Sequence, residues 1–341
     1  LHTQLMYATS YSINEMRYYR SKYALLFERD NKYLLYFSKN NAFYEINSEL
    51  YCFLSAITEE GISVDSITDE TINELIDLQI LIDQATDNDY LDSLQTIQAI
   101  QNYNASNINL TIAPTIQCNL RCPYCFEETK PLGFMSLETI DALQHFVSEH
   151  TYAKTYSITW FGGEPLLALP QMRTIIEKLQ EIEDKSLQGH GIITNGTLLN
   201  DDAIKLFQNY PLGSIQITLD GNQEQHDSKR FHASGKGSFD IILRNVDNAI
   251  KALPDTMFSF RIYVDNTNCH SYIEVANMLK DRYSGCKNIN FYAGILRANK
   301  GCHSEQFFST KDHISFSKKV AKAGLTSGLT YPSLQNKGCG A

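Results

Sequence analysis

Basic residues are missing from the whole stretch between Lys39 and Arg121, although Asp and Glu recur through much of it. Nucleic acid and anionic membrane surfaces are recognised through clustered Lys and Arg, so the gap argues against both as partners for this part of the chain. A run of eighteen apolar residues is also missing, and the first twenty residues lack the basic-then-apolar order of a secretory signal. Neither a membrane span nor export is indicated, and the expected location is the cytoplasm. With 43% hydrophobic and 20% charged residues, the chain is neither disordered nor collagen-like. It opens on Leu1 rather than Met and closes on Gly338-Cys339-Gly340-Ala341, so both ends are expected to be cut.

What is present is unevenly distributed. Residues 1–120 hold sixteen acidic against six basic side chains, whereas 121–341 hold twenty-three of each, so the net charge of −10 belongs to the N-terminal third. Two pieces are expected, the first suited to a basic peptide or simply to a solvated acidic surface. Within it, the apolar runs of residues 22–37 flank Asp30-Asn31, a hairpin signal, and Phe43-Tyr44-Glu45-Ile46 reads as another strand. Asn47 or Ser48 can cap a helix carrying Leu50, Phe53, Leu54 and Ile57, with Cys52 as a buried core residue. Thr68 can cap a second helix carrying Ile72, Leu75, Ile76 and Ile80. Residues 1–83 thus form a small winged-helix-like α+β module, and 84–108 a connecting helix and linker.

From residue 109 to 325 the pattern is strand, loop, helix, repeated six times, with strands expected at 110–116, 157–161, 191–194, 214–219, 258–264 and 288–292. Six successive βα units imply a parallel sheet with right-handed crossovers. They are too few for a closed eight-fold barrel, so the expected fold class is α/β, a partial (β/α)6 barrel with its chemistry at the C-terminal strand ends.

The unusual residues fall at those ends. The first strand leads into Cys118-Asn119-Leu120-Arg121-Cys122-Pro123-Tyr124-Cys125-Phe126. Three thiolates on one short loop can share an inorganic centre and leave one position open. A structural zinc normally takes four protein ligands, and the next cysteine, Cys269, is far away, though zinc or a redox dithiol remains an alternative. A [4Fe-4S] cluster held by three cysteines leaves its fourth iron to an exogenous ligand. After the second strand comes Gly162-Gly163-Glu164-Pro165, where glycines permit close backbone approach and Glu164 can accept from an ammonium. The third strand ends in Thr194-Asn195-Gly196-Thr197, which can bond ribose hydroxyls or make a plain turn before a helix capped by Asn200. The fourth gives Thr218-Leu219-Asp220-Gly221, then His226-Asp227-Ser228-Lys229-Arg230 and Gly235-Lys236-Gly237-Ser238-Phe239. His226 and Asp227 suit capping and stapling better than acid–base work, and Ser238 reads as a helix N-cap. The glycines here are no P-loop, because Arg230 stands where its first glycine should. On the fifth strand Arg261 needs an anion, such as a ligand carboxylate or Asp220, or an ordinary internal salt bridge; Asp265, Asn266 and Asn268 follow toward the mouth.

The cysteine spacing after a strand, with Gly162–Pro165 beyond it, resembles the radical S-adenosylmethionine (SAM) enzymes. The string from Thr218 to Phe239 resembles the Ser-Leu-Asp-Gly, His-Asp-x-x-Arg and Gly-x-Gly-Ser-Phe sequence of radical SAM peptide maturases, with Thr218 in place of Ser. The resemblance implies that Cys118, Cys122 and Cys125 hold the [4Fe-4S] cluster, that Gly162, Gly163 and Glu164 bind the SAM amino group, and that Thr194, Asn195, Thr218, Asp220, Arg230 and Arg261 serve the cofactor site. Arg230 would then pair with the SAM carboxylate or hold its loop, and Tyr124 and Phe126 would shield the cluster or line the adenine pocket. It further implies reductive cleavage of SAM to a 5′-deoxyadenosyl radical that abstracts hydrogen from an unactivated carbon. Maturases of this kind with a SPASM domain carry auxiliary iron–sulfur clusters in a C-terminal extension, and Cys339 in residues 326–341 corresponds to its start. The N-terminal module resembles the RiPP recognition element, which binds the leader of a ribosomally made precursor peptide. A precursor peptide and an electron donor such as flavodoxin or ferredoxin are then the implied partners, and a thioether, carbon–carbon or other cross-link or an epimerised residue the product. Alternatives are a sulfatase-maturing formylglycine former, a radical SAM enzyme with a non-peptide substrate such as a cyclase, a peptide binder without chemistry, and a zinc-stabilised interaction domain.

Overall fold

A computed structural model of the chain describes residues 17–63, 70–125, 127, 129, 131–295 and 308–325. They form two compact units, one within residues 1–104 and the other within 105–329.

In the first unit, β2 (Ala24–Arg29) and β3 (Lys32–Phe37) make the expected hairpin, with β4 (Ala42–Ile46) antiparallel to β3. Asp30 and Asn31 both take positive φ, 52° and 60°, which gives the tight turn whose twist matches that of the strands. α1 (Ser48–Ala56) is capped by Asn47, whose Oδ1 accepts from the Leu50 N–H at 2.8 Å. α2 (Glu70–Asp77) follows, and the Thr68 cap lies outside the described residues. A second small sheet joins β1 (Arg17–Arg20) to β5 (Ile62–Ser63) and β6 (Leu81–Ile82), pieces too short for alternation to reveal in the sequence. Leu35, Phe37, Leu54, Leu75 and Leu81 form the core. Cys52, expected in that core, is exposed: Leu50, Phe53, Leu54 and Ile57 already supply the inner face of α1, and Cys52 falls outside it.

The stretch expected to connect the two pieces holds α3 (Gln84–Asn102), and its first turn is part of the module. Asp87 there is buried, paired with Lys39 Nζ at 2.9 Å, and accepts from Ser21 Oγ and the Lys22 N–H at 2.7 Å each. Lys39 also lies over the rings of Tyr90 and Tyr23, 4.6 and 5.1 Å from their centroids.

The second unit is built on the expected six-stranded parallel sheet: β7 (Asn107–Ile112), β8 (Thr155–Trp160), β9 (Ser186–Thr194), β10 (Ser214–Leu219), β11 (Met257–Val264) and β12 (Ile289–Ile295). The strands lie side by side in chain order. With right-handed crossovers that order puts the connecting helices on one face, as in part of a barrel. The first strand ends at Ile112 rather than 116, because Pro114 has no N–H for a ladder. Apolar residues such as Ile158, Ile217, Phe260 and Ile262 alternate into the helix-covered core. The only tryptophan, Trp160, is fully buried there and donates from Nε1 to His190 Nε2 at 2.7 Å. The other face is half-buried and polar, with Ser157, Thr159, Gln216, Ser259 and Tyr292. No helix among the described residues is long and apolar enough to cross a membrane.

Candidate active site

The chain leaving β7 crosses the ends of its neighbours, held there by backbone bonds. The Gly163 and Glu164 N–H groups donate to the carbonyls of Thr115 (3.3 Å) and Gln117 (2.8 Å). This contact explains Gly162 and Gly163. Gly162 has φ +118°, and a Cβ on Gly163 would run into the Gln117 and Ile116 carbonyl oxygens. The glycines thus serve the approach of one protein loop to another, where the sequence suggested approach to a ligand.

Beyond Gln117 the loop presents Cys118, Cys122 and Cys125, all half-buried and none in a disulfide. Cys118 Sγ accepts from the Leu120 N–H at 3.5 Å and from Asn195 Nδ2 at 3.8 Å. Burial pushes the Cys122 thiol up to about 11; Arg230 pulls the other way, while Asp220, Cys118 and Cys125 act in the same direction as burial. Cys122 thus feels both other thiols, on a loop fixed by its surroundings. Asn119 Nδ2 donates to Thr197 Oγ1 (2.8 Å), Thr197 Oγ1 donates to Asn195 Oδ1 (2.6 Å), and Asn195 Nδ2 donates to Asn119 Oδ1 (2.9 Å), closing a ring between the cysteine loop and the end of β9. Among the described residues no three His, Cys, Asp or Glu side chains close on a single-ion site, so the zinc alternative gains nothing from the geometry. A four-iron cluster asks for something else, since each cysteine binds its own iron.

Glu164 is fully buried. Its carboxylate accepts from Thr194 Oγ1 (2.7 Å), the Leu166 N–H (3.1 Å) and the Asn195 N–H (2.8 Å). Burial raises its pKa against the pull of those donors. Its side chain, expected to meet an ammonium, braces the ends of β8 and β9. Thr194 and Asn195, expected to reach ribose, spend their side chains on Glu164, the Gly196 N–H and the ring just described.

At the end of β10 buried Asp220 and Arg230 meet the half-buried Tyr124. Tyr124 OH donates to Asp220 Oδ2 and accepts from Arg230 Nη1 at 3.0 Å, and Arg230 Nη1 lies 3.8 Å from Asp220 Oδ1. Burial raises the Asp220 pKa, only partly countered by Arg230 and Tyr124, and raises that of Tyr124 strongly. Asp220 Oδ1 and Arg230 Nε have no hydrogen-bond partner. Buried polar atoms in native proteins are nearly always satisfied. Three free thiols on one short loop beside unmet polar atoms form a donor set whose chemistry fits an iron–sulfur cluster with a polar co-ligand. The hydroxyl link through Tyr124 was not legible in the sequence, which offered that ring as a shield or as a wall of the adenine pocket.

The following loop is structural. His226 Nδ1 accepts from the Asp220 N–H at 3.2 Å, which places the proton on Nε2 facing Ser238 Oγ at 2.9 Å; burial lowers its pKa far below the usual range. α7 (Gln223–Lys229) carries Asp227, whose Oδ1 accepts from the Ser238 and Phe239 N–H groups at 2.7 and 2.9 Å. Ser238 precedes α8 (Phe239–Ala252) but makes no side-chain cap; Asp227 does that work while Ser238 Oγ donates to the Arg230 carbonyl. A Cβ on Gly237 would collide with the Asp227 carboxylate.

Arg261 pairs with neither Asp220 nor Asp265. Asp265 is bound to Lys229 Nζ at 2.8 Å, and Asn268 Oδ1 accepts its N–H at 2.7 Å. The Arg261 guanidinium lies over the Tyr263 ring, 4.8 Å from its centroid, beside Thr218 in register on β10. Cys269 and Cys286 pack against the core, while Phe126, Cys302 and Cys339 lie outside the described residues.

Residues 112–279 match the model of the Radical SAM superfamily. A cysteine-type anaerobic sulfatase-maturating enzyme of Clostridium novyi is 33% identical over 153 residues, 41% of this chain and 40% of that protein. A GTP 3′,8-cyclase of Haemophilus influenzae is 27% identical over 180 residues, 51% of this chain and 50% of that one. The solved structure of native anSMEcpe with bound AdoMet and Cp18Cys peptide superposes with TM-score 0.52 at 23% identity, covering 62% of this chain and 58% of that one. The matches thus span between 40% and 58% of the length of these relatives. Radical SAM proteins use a [4Fe-4S] cluster and S-adenosylmethionine, the small molecule bound in that structure.

Proposed function

We propose that the protein is a radical SAM enzyme that modifies a ribosomally made precursor peptide. The observation that carries the reading is the Cys118–Cys125 loop locked across the strand ends beside the unmet Asp220 and Arg230 atoms. When bound, the cluster and SAM supply one-electron cleavage of the sulfonium and a carbon radical able to take hydrogen from the substrate. Cys118, Cys122 and Cys125 ligate the cluster. The Arg230 charge near Cys122 favours the thiolate, and Tyr124 ties that charge to Asp220. Glu164, Thr194 and Asn195 act by fixing the loop, with Thr218 below them at the mouth.

Residues 1–83 serve as the peptide-binding module in this reading, with 109–325 as the catalytic barrel and the C-terminal stretch as the start of a SPASM-like extension. Support comes from the surplus of acid in the first third and from the face of the β2–β3–β4 sheet, where Leu25, Tyr36 and Phe43 stand in register and Leu25 and Phe43 are exposed. Such a sheet can receive an extended peptide by strand addition. Holding the leader there would keep the core peptide at high effective concentration. The second reading, a sulfatase-maturing enzyme, is favoured by the similarity to the C. novyi protein.

The test is anaerobic reconstitution with iron and sulfide, then SAM and dithionite. Stoichiometric cluster and 5′-deoxyadenosine are expected, with both lost in Cys122→Ala. A parent protein that fills its cluster yet forms no 5′-deoxyadenosine would defeat the proposal. Mass change in a neighbouring-gene precursor peptide, against none in a sulfatase peptide, separates the two substrates.

A further inference from the structure

The six strands of the parallel sheet contain a single Lys, Arg, Asp or Glu, and it is Arg261. It lies on the half-buried polar face, among neutral neighbours: Thr218 in register on β10 and Tyr292 in register on β12. Its stem is accommodated by Gly294, where an added Cβ would come within 2.7 Å of Arg261 Nε. Its guanidinium lies over the Tyr263 ring. Nε is buried and has no hydrogen-bond partner, and among the described residues no carboxylate is within ion-pair reach of the guanidinium. The nearby acids are engaged elsewhere, Asp265 by Lys229 and Asp220 by Tyr124 and Arg230. A partly buried charge held in one orientation without a counter-ion is costly in the free protein.

We propose that Arg261 is the anion receptor of the substrate groove, so that the substrate presents a carboxylate there. The inference rests on the proposed radical SAM reading for what the groove does, and adds the chemical class it selects. A guanidinium fork matches a carboxylate bidentately, which fixes orientation as well as position. Arg261 leaves its strand in register with Thr218, two residues short of Asp220, and its side chain runs forward past Gly294 to lie over Tyr263, whose ring meets that of Tyr124 at 6.0 Å. Arg230 is the cation that acts on Cys122 and is tied to Tyr124 and Asp220. With Arg230 serving the cysteine loop, a carboxylate held by Arg261 belongs to what enters the barrel, an acidic side chain or a chain terminus.

The probe is N-acetylglutamate α-amide, with N-acetylglutamine α-amide as its neutral isostere. Isotope labelling of arginine side chains lets the Arg261 Nε–H resonance be followed in the reconstituted protein saturated with SAM, assigned by its loss in Arg261→Lys. The carboxylate probe is expected to shift that resonance and the amide to leave it in place, with calorimetric binding of the probe lost in Arg261→Gln. The melting temperature of Arg261→Gln should equal or exceed the parent's, because no ion pair is broken; a marked fall would show an internal partner and overturn the proposal. Equal response to both probes, or to neither, would overturn it too, and so would a shift caused by SAM that blocks the probe. Iron content and SAM binding in the same samples report separately on the radical SAM reading.

Discussion

The molecule buries two clusters of opposite charge, and they differ in completeness. In the N-terminal unit Lys39 and Asp87 are in contact at 2.9 Å, and Asp87 takes two further hydrogen bonds, so both of its oxygens are used. At the end of β10 Arg230 and Asp220 stand 3.8 Å apart, with Asp220 Oδ1 and Arg230 Nε unmatched. The first cluster ties α3 to the sheet and is explained by the fold alone. The second gains nothing comparable for the fold and lies beside the thiols. The Tyr23 and Tyr90 hydroxyls beside Lys39 are unmatched too, so it is the incomplete pairing of the charged groups themselves, more than charge or burial, that separates the candidate active site from the structural cluster.

The largest expected effect breaks the complete cluster. Asp87→Asn leaves Lys39 buried without its anion and should cost the N-terminal unit about 3–5 kcal/mol, read by denaturant unfolding. Acid should do the same. Although burial opposes it, bonds from Ser21, Lys39 and the Lys22 N–H hold the Asp87 pKa below its ordinary value. Its contribution is thus present above about pH 4 and lost as pH falls through the depressed value; an acid limb that survives unchanged in Asp87→Asn would refute the assignment. Next comes Gly163→Ala, which sets a methyl group against the Gln117 and Ile116 carbonyls. A destabilisation of about 1–3 kcal/mol is expected, with reduced iron loading, measured by melting and iron assay. Smallest is Asp227→Ala, which removes the side-chain acceptor at the start of α8 and should cost about 1 kcal/mol without changing iron content.

Much of this was legible in the sequence for a physical reason. Alternation and loop spacing are local, so the six strands, the hairpin at Asp30-Asn31 and the Asn47 and Asn200 caps could be read directly. The residues gathered at the strand ends were legible as types. Their partners were not, because a hydrogen bond is chosen by tertiary placement. Glu164, Thr194 and Asn195 looked like ligand contacts and bond to one another, while Asp227 rather than Ser238 supplies the cap acceptor. Tyr124 and Asp220, 96 residues apart, could be joined only in three dimensions.

The lone indole gives the two units different optical labels. Trp160 is sealed in the core of the barrel against His190, while the N-terminal unit absorbs and emits through tyrosines such as Tyr23, Tyr36 and Tyr90. Emission excited at the red edge therefore follows the catalytic half by itself. Nature has left a reporter in one room of the house and none in the other, so the melting of the barrel can be watched by itself without attaching a dye.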